Sequence, residues 1–209
     1  MGIAENIAKV RQNARSARII AVTKNVELPQ IIEAIEAGIT DIGENRVQEA
    51  KRKFPALKSK YPNIKYHMIG HLQRNKVKEA LELFDVIQSV DSLELAEEID
   101  KRAQKPVDIF IEVNTSGEES KYGVAPDKAI ELGEAIKKLK NLKVNGLMTI
   151  GPLTGDKEKI RSCFRQLREL REKAGVDHLS MGMSHDYPLA IEEGSDIIRI
   201  GTAIFHQEG

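Results

Sequence analysis

The strongest constraint on the fold is an alternation that runs along the whole chain. Short apolar runs, such as residues 18–23 (RIIAVT), alternate with longer segments whose apolar residues recur every three or four positions. Apolar runs without polar alternation are typical of strands buried on both faces of a parallel sheet. Parallel strands need crossover connections, which the intervening helical segments supply. The pattern therefore predicts an α/β protein built from consecutive βα units.

Eight strands can be counted in this alternation, and a helix with Ile3, Ile7, Val10 and Ala14 on one face precedes them. Eight βα units favour a single (β/α)₈ TIM-type barrel with an extra N-terminal helix, near the lower size limit of that fold. An open doubly wound sheet is the alternative. No linker rich in Gly, Ser or Pro divides residues 1–209, so we predict one domain. The predicted strands are 18–23, 40–43, 64–69, 85–89, 107–114, 142–148, 178–181 and 195–200. The predicted helices between them begin at Pro29 and lie near 45–53, 73–83, 92–104, 126–140, 156–174 and 186–193.

Composition excludes several classes of protein. Lys plus Arg total 32 and Asp plus Glu total 32, so the formal net charge is zero. The chain therefore lacks the net positive charge that is typical of proteins that bind nucleic acid or an acidic membrane. The single cysteine, Cys163, excludes an intrachain disulfide framework and fits a reducing compartment. Residues 1–16 lack the apolar core of a signal peptide, and no apolar stretch approaches the ~18 residues that span a bilayer. We therefore expect a cytoplasmic protein.

Polar residues follow the first three predicted strands, where functional groups of a parallel barrel gather. Lys24 comes directly after the first strand; its amine is either an ordinary solvated lysine or a nucleophile toward a carbonyl group. Asn45 follows the second strand and either caps the next helix or contacts a ligand. His67 and His71 are four residues apart, but no cysteine or carboxylate motif completes a metal site, so we predict none. His71 is interpreted as a residue that either lines the ligand pocket or supports the residues that line it.

The last two strands end in segments that suit a phosphate group. Residues 180–184 (SMGMS) and 199–202 (RIGT) combine small residues with hydroxyls, and such loops present backbone N–H groups to phosphate. The loops after strands seven and eight are the usual phosphate site of these barrels, with plain turn chemistry as the alternative. Arg199 interrupts an apolar run and needs an acceptor unless it faces solvent. Together with Lys24 these features indicate pyridoxal 5′-phosphate, with its aldehyde at the lysine and its ring nitrogen at the arginine.

Over essentially its whole length the chain resembles the pyridoxal phosphate homeostasis proteins, which are single-domain relatives of the alanine racemase N-terminal barrel. The resemblance implies a Schiff base on Lys24, and it places Arg199 at the ring nitrogen. It also implies a phosphate held by Ser180, Gly201 and Thr202, with Asn45 and Met148 beside the cofactor. The matching motifs are AVTK (21–24), GEN (43–45), HMIGHLQ (67–73), GLMT (146–149), SMGMS (180–184) and RIGTAIF (199–205).

Cofactor binding alone does not predict catalysis, because a racemase needs a second acid or base on the opposite face of its substrate. In the racemases that the chain resembles, a tyrosine from another domain and subunit has that role. We expect this domain to be absent here, and none of Tyr61, Tyr66, Tyr122 and Tyr187 has a context that marks it as a base. An arginine at the ring nitrogen also disfavours its protonation, which weakens the ring as an electron sink.

These expectations favour a monomeric, non-catalytic carrier or buffer of pyridoxal phosphate, with no catalytic residue. Its expected partners are the cofactor and the PLP-dependent apoenzymes that receive it. Two alternatives stay open. The first is a weak PLP-dependent amino-acid racemase, and the second is a regulatory interaction protein that senses bound cofactor.

Overall fold

A computed structural model describes residues 2–206, which form a closed barrel of eight parallel strands. The strands follow one another around the barrel in chain order, and the last pairs with the first. The predicted (β/α)₈ TIM-type barrel with an extra N-terminal helix is confirmed, and the open-sheet alternative is excluded. The single domain predicted from the sequence covers residues 1–209. Residue 1 and residues 207–209 of that range lie outside the described residues.

Strands and helices alternate as the sequence predicts. The strands are β1 Arg18–Val22, β2 Asp41–Glu44, β3 Lys65–Met68, β4 Val86–Val90, β5 Val107–Glu112, β6 Leu142–Met148, β7 His178–Ser180 and β8 Ile197–Ile200. The helices are α1 Ile3–Ala14, α2 Leu28–Glu36, α3 Val47–Lys60, α4 Val77–Leu83, α5 Leu93–Arg102, α6 Ala129–Ile136, α7 Lys157–Ala174, α8 Tyr187–Glu192 and α9 Thr202–Phe205. None of these helices, all within residues 2–206, is long and apolar enough to cross a membrane.

Among the boundaries that differ from the prediction, those of α3 and β5 have a physical reason in the structure. The helix expected at 45–53 continues to Lys60 through Pro55, although proline removes one helical hydrogen bond. Burial of Phe54 and Leu57 on one face of α3 outweighs that loss. β5 ends at Glu112, because the chain leaves the barrel there and the Glu112 carbonyl accepts a hydrogen bond from the Val124 N–H of the following loop at 2.8 Å.

Two apolar layers hold the barrel together. Side chains on one face of the strands point outward and pack against the surrounding helices, forming the main core. Alternate residues point inward and form a smaller cluster inside the barrel. Its members are Ile20, Val86, Phe110, Met148 and Ile197. Because this cluster fills the middle of the barrel, it supports the groups at the carboxyl ends of the strands from below.

The N-terminal helix α1 packs against α2, α8 and α9. The Arg11 guanidinium donates to the Ala37 and Gly38 carbonyl oxygens, which end α2, at 3.2 and 2.6 Å. The side-chain amide of Asn6 donates to the Ile204 carbonyl oxygen at 3.0 Å. The extra helix therefore packs against α8 and α9, the helices that follow β7 and β8.

Candidate functional site

Lys24 lies in a tight turn immediately beyond β1. The turn is closed by a 3.0 Å hydrogen bond from the Val26 N–H to the Thr23 carbonyl oxygen. Asn25 takes a left-handed backbone conformation with φ of 57°, which asparagine tolerates better than most residues. Lys24 and Asn25 are exposed, whereas Thr23 is fully buried. A rigid strand end therefore presents an exposed lysine at the carboxyl end of the barrel.

Asn45 follows β2 and lies against the loop that follows β3. A Cβ at Gly70 would come within 2.4 Å of the Asn45 carbonyl oxygen, so only glycine fits there. The Asn45 N–H donates to Glu44 Oε2 at 3.2 Å, and α3 is capped by Arg46 rather than by Asn45. Among the described residues, the buried Oδ1 of Asn45 has no hydrogen-bond partner. Asn45 thus offers an unpaired polar atom at the mouth of the barrel, which is the opening formed by the carboxyl ends of the strands.

His71 connects two of the loops around the mouth. Its ring stacks on Tyr122, which lies in the loop after β5, with 3.9 Å between ring centroids and 10° between planes. His71 Nδ1 also lies 3.6 Å from an oxygen of Asp91, the residue after β4. Tyr122 itself is 56% exposed. The stack therefore covers one side of the mouth without closing it.

Arg199 is buried inside the barrel, 3% exposed, so the solvent-facing alternative is excluded. Its guanidinium donates to the Ser180 hydroxyl at 2.8 Å and to the Thr149 carbonyl oxygen at 2.7 Å. Burial lowers the pKa of Arg199 to about 10, and the negative charges of Glu112 and Asp186 oppose the fall. Arg199 therefore remains a cation at neutral pH, with further N–H donors available to a ligand.

A chain of hydrogen bonds crosses the barrel interior from Arg199 to Asp41. Because an arginine can only donate, the Ser180 hydroxyl accepts from it and directs its own hydrogen to Gln88 Oε1, 2.6 Å away. Gln88 Nε2 then donates to His67 Nδ1 at 3.1 Å, and His67 Nε2 donates to Asp41 Oδ1 at 2.9 Å. Each group accepts from one neighbour and donates to the next, so the chain has a single direction.

The far end of this chain carries a negative charge. Burial works to raise the pKa of Asp41, but hydrogen bonds from His67 and Thr40 outweigh it and hold that pKa below its usual value. The cation of Arg199 and the anion of Asp41 thus terminate a fully paired interior network. Such a network orients its members in a way that one isolated contact cannot.

Glu112 also lies inside the barrel, but it is not part of this hydrogen-bonded chain. The residue is only 3% exposed, and its carboxylate Oε2 has no hydrogen-bond partner among the described residues. Burial raises the pKa of Glu112 to about 7; the charge of Asp91 adds to the rise and that of Arg199 opposes it. A buried carboxyl that takes up its proton near neutral pH therefore lies at the end of β5.

The loops after β7 and β8 meet through a serine hydroxyl. Ser184 Oγ accepts hydrogen bonds from the Gly201 and Ala203 N–H groups, both at 3.2 Å. The turn that carries it requires Gly182, whose φ is 98° and where a Cβ would come within 2.6 Å of the Ala190 Cβ. Thr202 is exposed at the start of α9. Backbone N–H groups and hydroxyls therefore converge where the sequence predicts a phosphate.

The structure does not bring Ser180 to these N–H groups. Its side chain points inward from β7 and is held between Arg199 and Gln88, so the hydroxyl at the phosphate loops is that of Ser184. Met148 lies fully buried in the inner cluster, below the mouth. Lys24, Asn45, His71, Arg199, Gly201 and Thr202 do lie at the carboxyl end of the barrel.

Sequence reasoning missed four residues: Asp41 at the amino end of β2, Gln88 within β4, Glu112 at the carboxyl end of β5, and Ser184 in the loop after β7. Three of them are polar residues at inward positions of otherwise apolar strands, as with Gln88 two residues after Val86. That period of two was the available signal. Ser184 was within the predicted phosphate loop, but nothing in the sequence distinguished it from Ser180.

A cleft with a volume of about 1000 Å³ lies at the opposite end of the barrel. Its lining includes Lys65, Asp85 and Asp108, at the amino-terminal ends of β3, β4 and β5, and Arg102, at the carboxyl end of the preceding helix α5. In barrels of this type that end contributes stability rather than chemistry. Within residues 2–206, no three His, Cys, Asp or Glu side chains are grouped as in a metal site.

Comparison with known proteins identifies the relatives of this chain. The family model described as the alanine racemase N-terminal domain matches residues 2–208. The pyridoxal phosphate homeostasis protein of Aquifex aeolicus is 44% identical over 216 aligned positions, which cover 97% of this chain and 94% of that protein. The protein of the same name from Pasteurella multocida is 35% identical, covering 98% of this chain and 97% of that protein. These matches confirm the resemblance identified in the sequence.

Solved structures agree with these matches. PipY of Synechococcus elongatus without PLP superimposes with a TM-score of 0.91 and 38% identity, covering 98% of this chain and 100% of that one. PipY with PLP bound gives a TM-score of 0.88 and 36% identity, with the same coverage. Alanine racemase of Clostridium difficile has a TM-score of 0.81 at 14% identity and shares the barrel fold, although this chain covers only 57% of that protein.

The raised pKa of Glu112 predicts a specific pH dependence of stability. Between its ordinary value of 4.5 and about 7, the unfolded chain ionises while the folded carboxyl keeps its proton, so the free energy of unfolding falls as the pH rises. The loss is about 3 kcal/mol at most and is complete above pH 7. Glu112→Gln should lack this loss. Urea unfolding of both proteins at pH 5 and pH 8 checks it, and an equal change in the two proteins would contradict it.

Proposed function

Because the chain belongs to the pyridoxal phosphate homeostasis proteins of the alanine racemase N-terminal-domain family, we propose that it binds pyridoxal 5′-phosphate at the carboxyl end of its barrel. One arrangement supports this most directly. β1 and β8 are hydrogen-bonded neighbours with Ile20 beside Arg199, so Lys24 and the 201–203 loop share one stretch of the barrel rim. When bound, the cofactor supplies an aldehyde that an amine can capture and a ring that accepts electrons.

The residues present fit this cofactor. The unprotonated amine of Lys24 would condense with the aldehyde to form a C=N bond, with loss of one water molecule. A phosphate needs several converging donors. It would take the Gly201 and Ala203 N–H groups in place of Ser184 Oγ, to which they donate in this structure, with the hydroxyls of Ser184 and Thr202 beside it. The unpartnered buried Oδ1 of Asn45 leaves a hydrogen-bond acceptor for the cofactor at the same mouth.

Arg199 suits the ring nitrogen of the cofactor. Its contacts to Ser180 and Thr149 fix the guanidinium within the barrel and leave its other N–H donors without a partner among the described residues. As a cation with no proton to transfer at neutral pH, it would donate a hydrogen bond while keeping the ring nitrogen unprotonated. That arrangement weakens the ring as an electron sink and restrains chemistry at the α-carbon of an amino acid.

We therefore infer that the protein is a carrier or buffer of the cofactor rather than an enzyme. The names of its relatives support this, since the proteins of Aquifex aeolicus and Pasteurella multocida are homeostasis proteins at nearly full-length coverage. The recipients would be PLP-dependent apoenzymes, and the single Cys163 suits the reducing cytoplasm. A closed barrel leaves no open sheet edge, which suits a monomer.

Covalent capture at Lys24 is the first test. Borohydride reduction of the PLP-loaded protein, followed by peptide mapping, should place the pyridoxyl group on Lys24. Lys24→Met should abolish both the label and the visible absorption of the Schiff base. Lys76→Met should retain both the label and the absorption. Lys76 follows β3 rather than β1, and its ammonium forms an ion pair with Glu79 at 3.0 Å. A label found mainly on Lys76 or Lys121 would contradict the assignment.

The phosphate loops predict strong discrimination between pyridoxal phosphate and pyridoxal. Losing a charge-assisted hydrogen bond costs about 1.5–3 kcal/mol, so pyridoxal should bind at least about a hundredfold more weakly when two or more are lost. Inorganic phosphate should compete with PLP for binding. Ser184→Ala should reduce the ratio of the affinity for PLP to the affinity for pyridoxal. Equilibrium titrations measure all three effects. Equal affinity for pyridoxal and PLP would show that these loops do not hold the phosphate.

A carrier should handle amino acids poorly. A general acid or base typically contributes ~10²–10⁴-fold, so a site with only Lys24 to move the α-proton should be far slower than a two-base racemase. Deuterium exchange at the α-carbon of L-alanine, measured beside chiral analysis of the product, should show slow exchange and no D-alanine. Formation of D-alanine at ordinary enzymatic rates would instead favour the racemase alternative. Glu112→Gln and Tyr122→Phe would then identify the second base.

A further inference from the structure

A buried lysine behind the Lys24 turn has no part in the site described so far. Lys53 lies on α3 and is only 6% exposed, which is rare for a lysine. Its ammonium donates to the Thr23 carbonyl oxygen at 2.8 Å, to Glu44 Oε1 at 2.8 Å and to Glu49 Oε2 at 3.2 Å. These acceptors match the three N–H donors of an ammonium group, so Lys53 is fully paired.

Two branches of this cluster end at the peptide groups on either side of Lys24. The Thr23 carbonyl belongs to the peptide group that precedes Lys24, and the Thr23 hydroxyl donates to Glu44 Oε1 at 2.9 Å. Glu49 Oε2 accepts from the Asn25 N–H at 3.2 Å, which belongs to the peptide group that follows Lys24. Both peptide groups of Lys24 are therefore bound by side chains that meet at Lys53.

The same cluster reaches the second strand end. Glu44 is fully buried, and its other oxygen accepts from the Asn45 N–H at 3.2 Å. Burial raises the pKa of Glu44, and the hydrogen bonds from Lys53 and Thr23 oppose the rise. Burial also works to raise the pKa of Glu49, but the Asn25 N–H and the Lys53 ammonium hold it below its usual value. Lys24 and Asn45 are thus positioned by one set of contacts.

Stability alone is a poor explanation for this arrangement. A buried ion pair often contributes no more than the apolar residues that could replace it, because desolvating its charges is costly. A left-handed turn residue such as Asn25 also costs about 1 kcal/mol, so the turn requires support. Covalent capture, by contrast, depends strongly on position, since a displacement of about 1 Å can cost as much as a hundredfold in rate.

We propose that Lys53, Glu44 and Glu49 form a positioning cluster that holds the backbone of Lys24 in the orientation required to capture the cofactor aldehyde. This inference rests on the proposed function of Lys24. The three residues act through the Thr23 and Asn25 peptide groups and do not touch the cofactor. The cluster should therefore govern bond formation by the Lys24 amine without governing recognition of the ring and the phosphate.

Two ligands separate these effects. PLP tests both recognition and bond formation, whereas pyridoxine 5′-phosphate keeps the ring and phosphate but has no aldehyde. The double variant Lys53→Met with Glu44→Gln removes the two most deeply buried charges of the cluster together, while Glu49 keeps the Asn25 N–H as a donor. In this variant the visible absorption of the Schiff base should develop about tenfold or more slowly. Affinity for pyridoxine 5′-phosphate should stay within about twofold of the unaltered protein, since its contacts are elsewhere.

Matched variants guard against a general loss of structure. Glu49→Ala removes the acceptor of the Asn25 N–H at a less buried position, so it keeps the test valid if the double variant does not fold. Glu49→Gln retains a side-chain oxygen and should recover part of the rate. Lys51→Met removes an exposed pair with Glu79 from the same helix and should leave the rate unchanged.

The outcomes distinguish this inference from the proposed function. A Schiff base on Lys24 that forms in the variants at the unaltered rate would overturn the positioning role only. Equal losses of PLP and pyridoxine 5′-phosphate affinity would also overturn it, because the cluster would then be merely structural. Absence of any Schiff base on Lys24 in the unaltered protein would overturn the proposed function and the inference together.

Discussion

Closure of the barrel between β1 and β8 is the constraint on which the site depends. Ile20 pairs with Arg199 and Ala21 with Ile200, so the first and last strands end side by side. A Cβ at Gly201 would lie 3.5 Å from the Val22 Cβ, which shows how closely the last loop approaches the first strand. In an open sheet these strands would occupy different positions, and Lys24 would be separated from the loop that follows Arg199.

Closure also creates an interior that must be filled, and this protein fills part of it with polar groups. Buried polar groups are tolerated when each has a partner, and the chain from Arg199 to Asp41 meets that condition. Because Gln88 lies at the centre, a side chain without an amide there would leave the Ser180 hydroxyl hydrogen without its acceptor and His67 Nδ1 without its donor. The orientation of Arg199 is therefore a property of several strands rather than of β8 alone.

The sequence predicted the architecture because strand and helix periodicities are local. All eight strands and the helix before them were predicted from apolar spacing, and Lys24, Asn45 and Arg199 followed from their places at strand ends. Pro55 shows the limit of local rules, since burial of Phe54 and Leu57 carries α3 past it. The cofactor, by contrast, was identified largely from a family resemblance, which short motifs alone could not replace.

The rest of the site depends on distances that a linear sequence does not contain. Ser180 and Ser184 are equivalent by composition, and only the direction of their side chains assigns one to Arg199 and the other to the Gly201 N–H. Lys53 resembles any charged residue of an outer helix, and its burial follows from the position of α3 over the ends of β1 and β2. Long-range pairing of this kind becomes visible only once the strands are closed into a barrel.

The Lys53 cluster and the hydrogen-bonded chain from Arg199 to Asp41 both influence the chemistry that is possible at the mouth of the barrel. One fixes the backbone around Lys24 from the side of α3, and the other fixes the Arg199 guanidinium from within the barrel. Lys24 itself is exposed, and the His71–Tyr122 stack leaves Tyr122 largely in solvent. Enzymes that generate reactive species usually exclude water from such a group. Rigid support beneath an accessible amine would instead suit reversible capture, because water or an incoming amine could reach a C=N bond formed on the proposed Lys24 and release the cofactor.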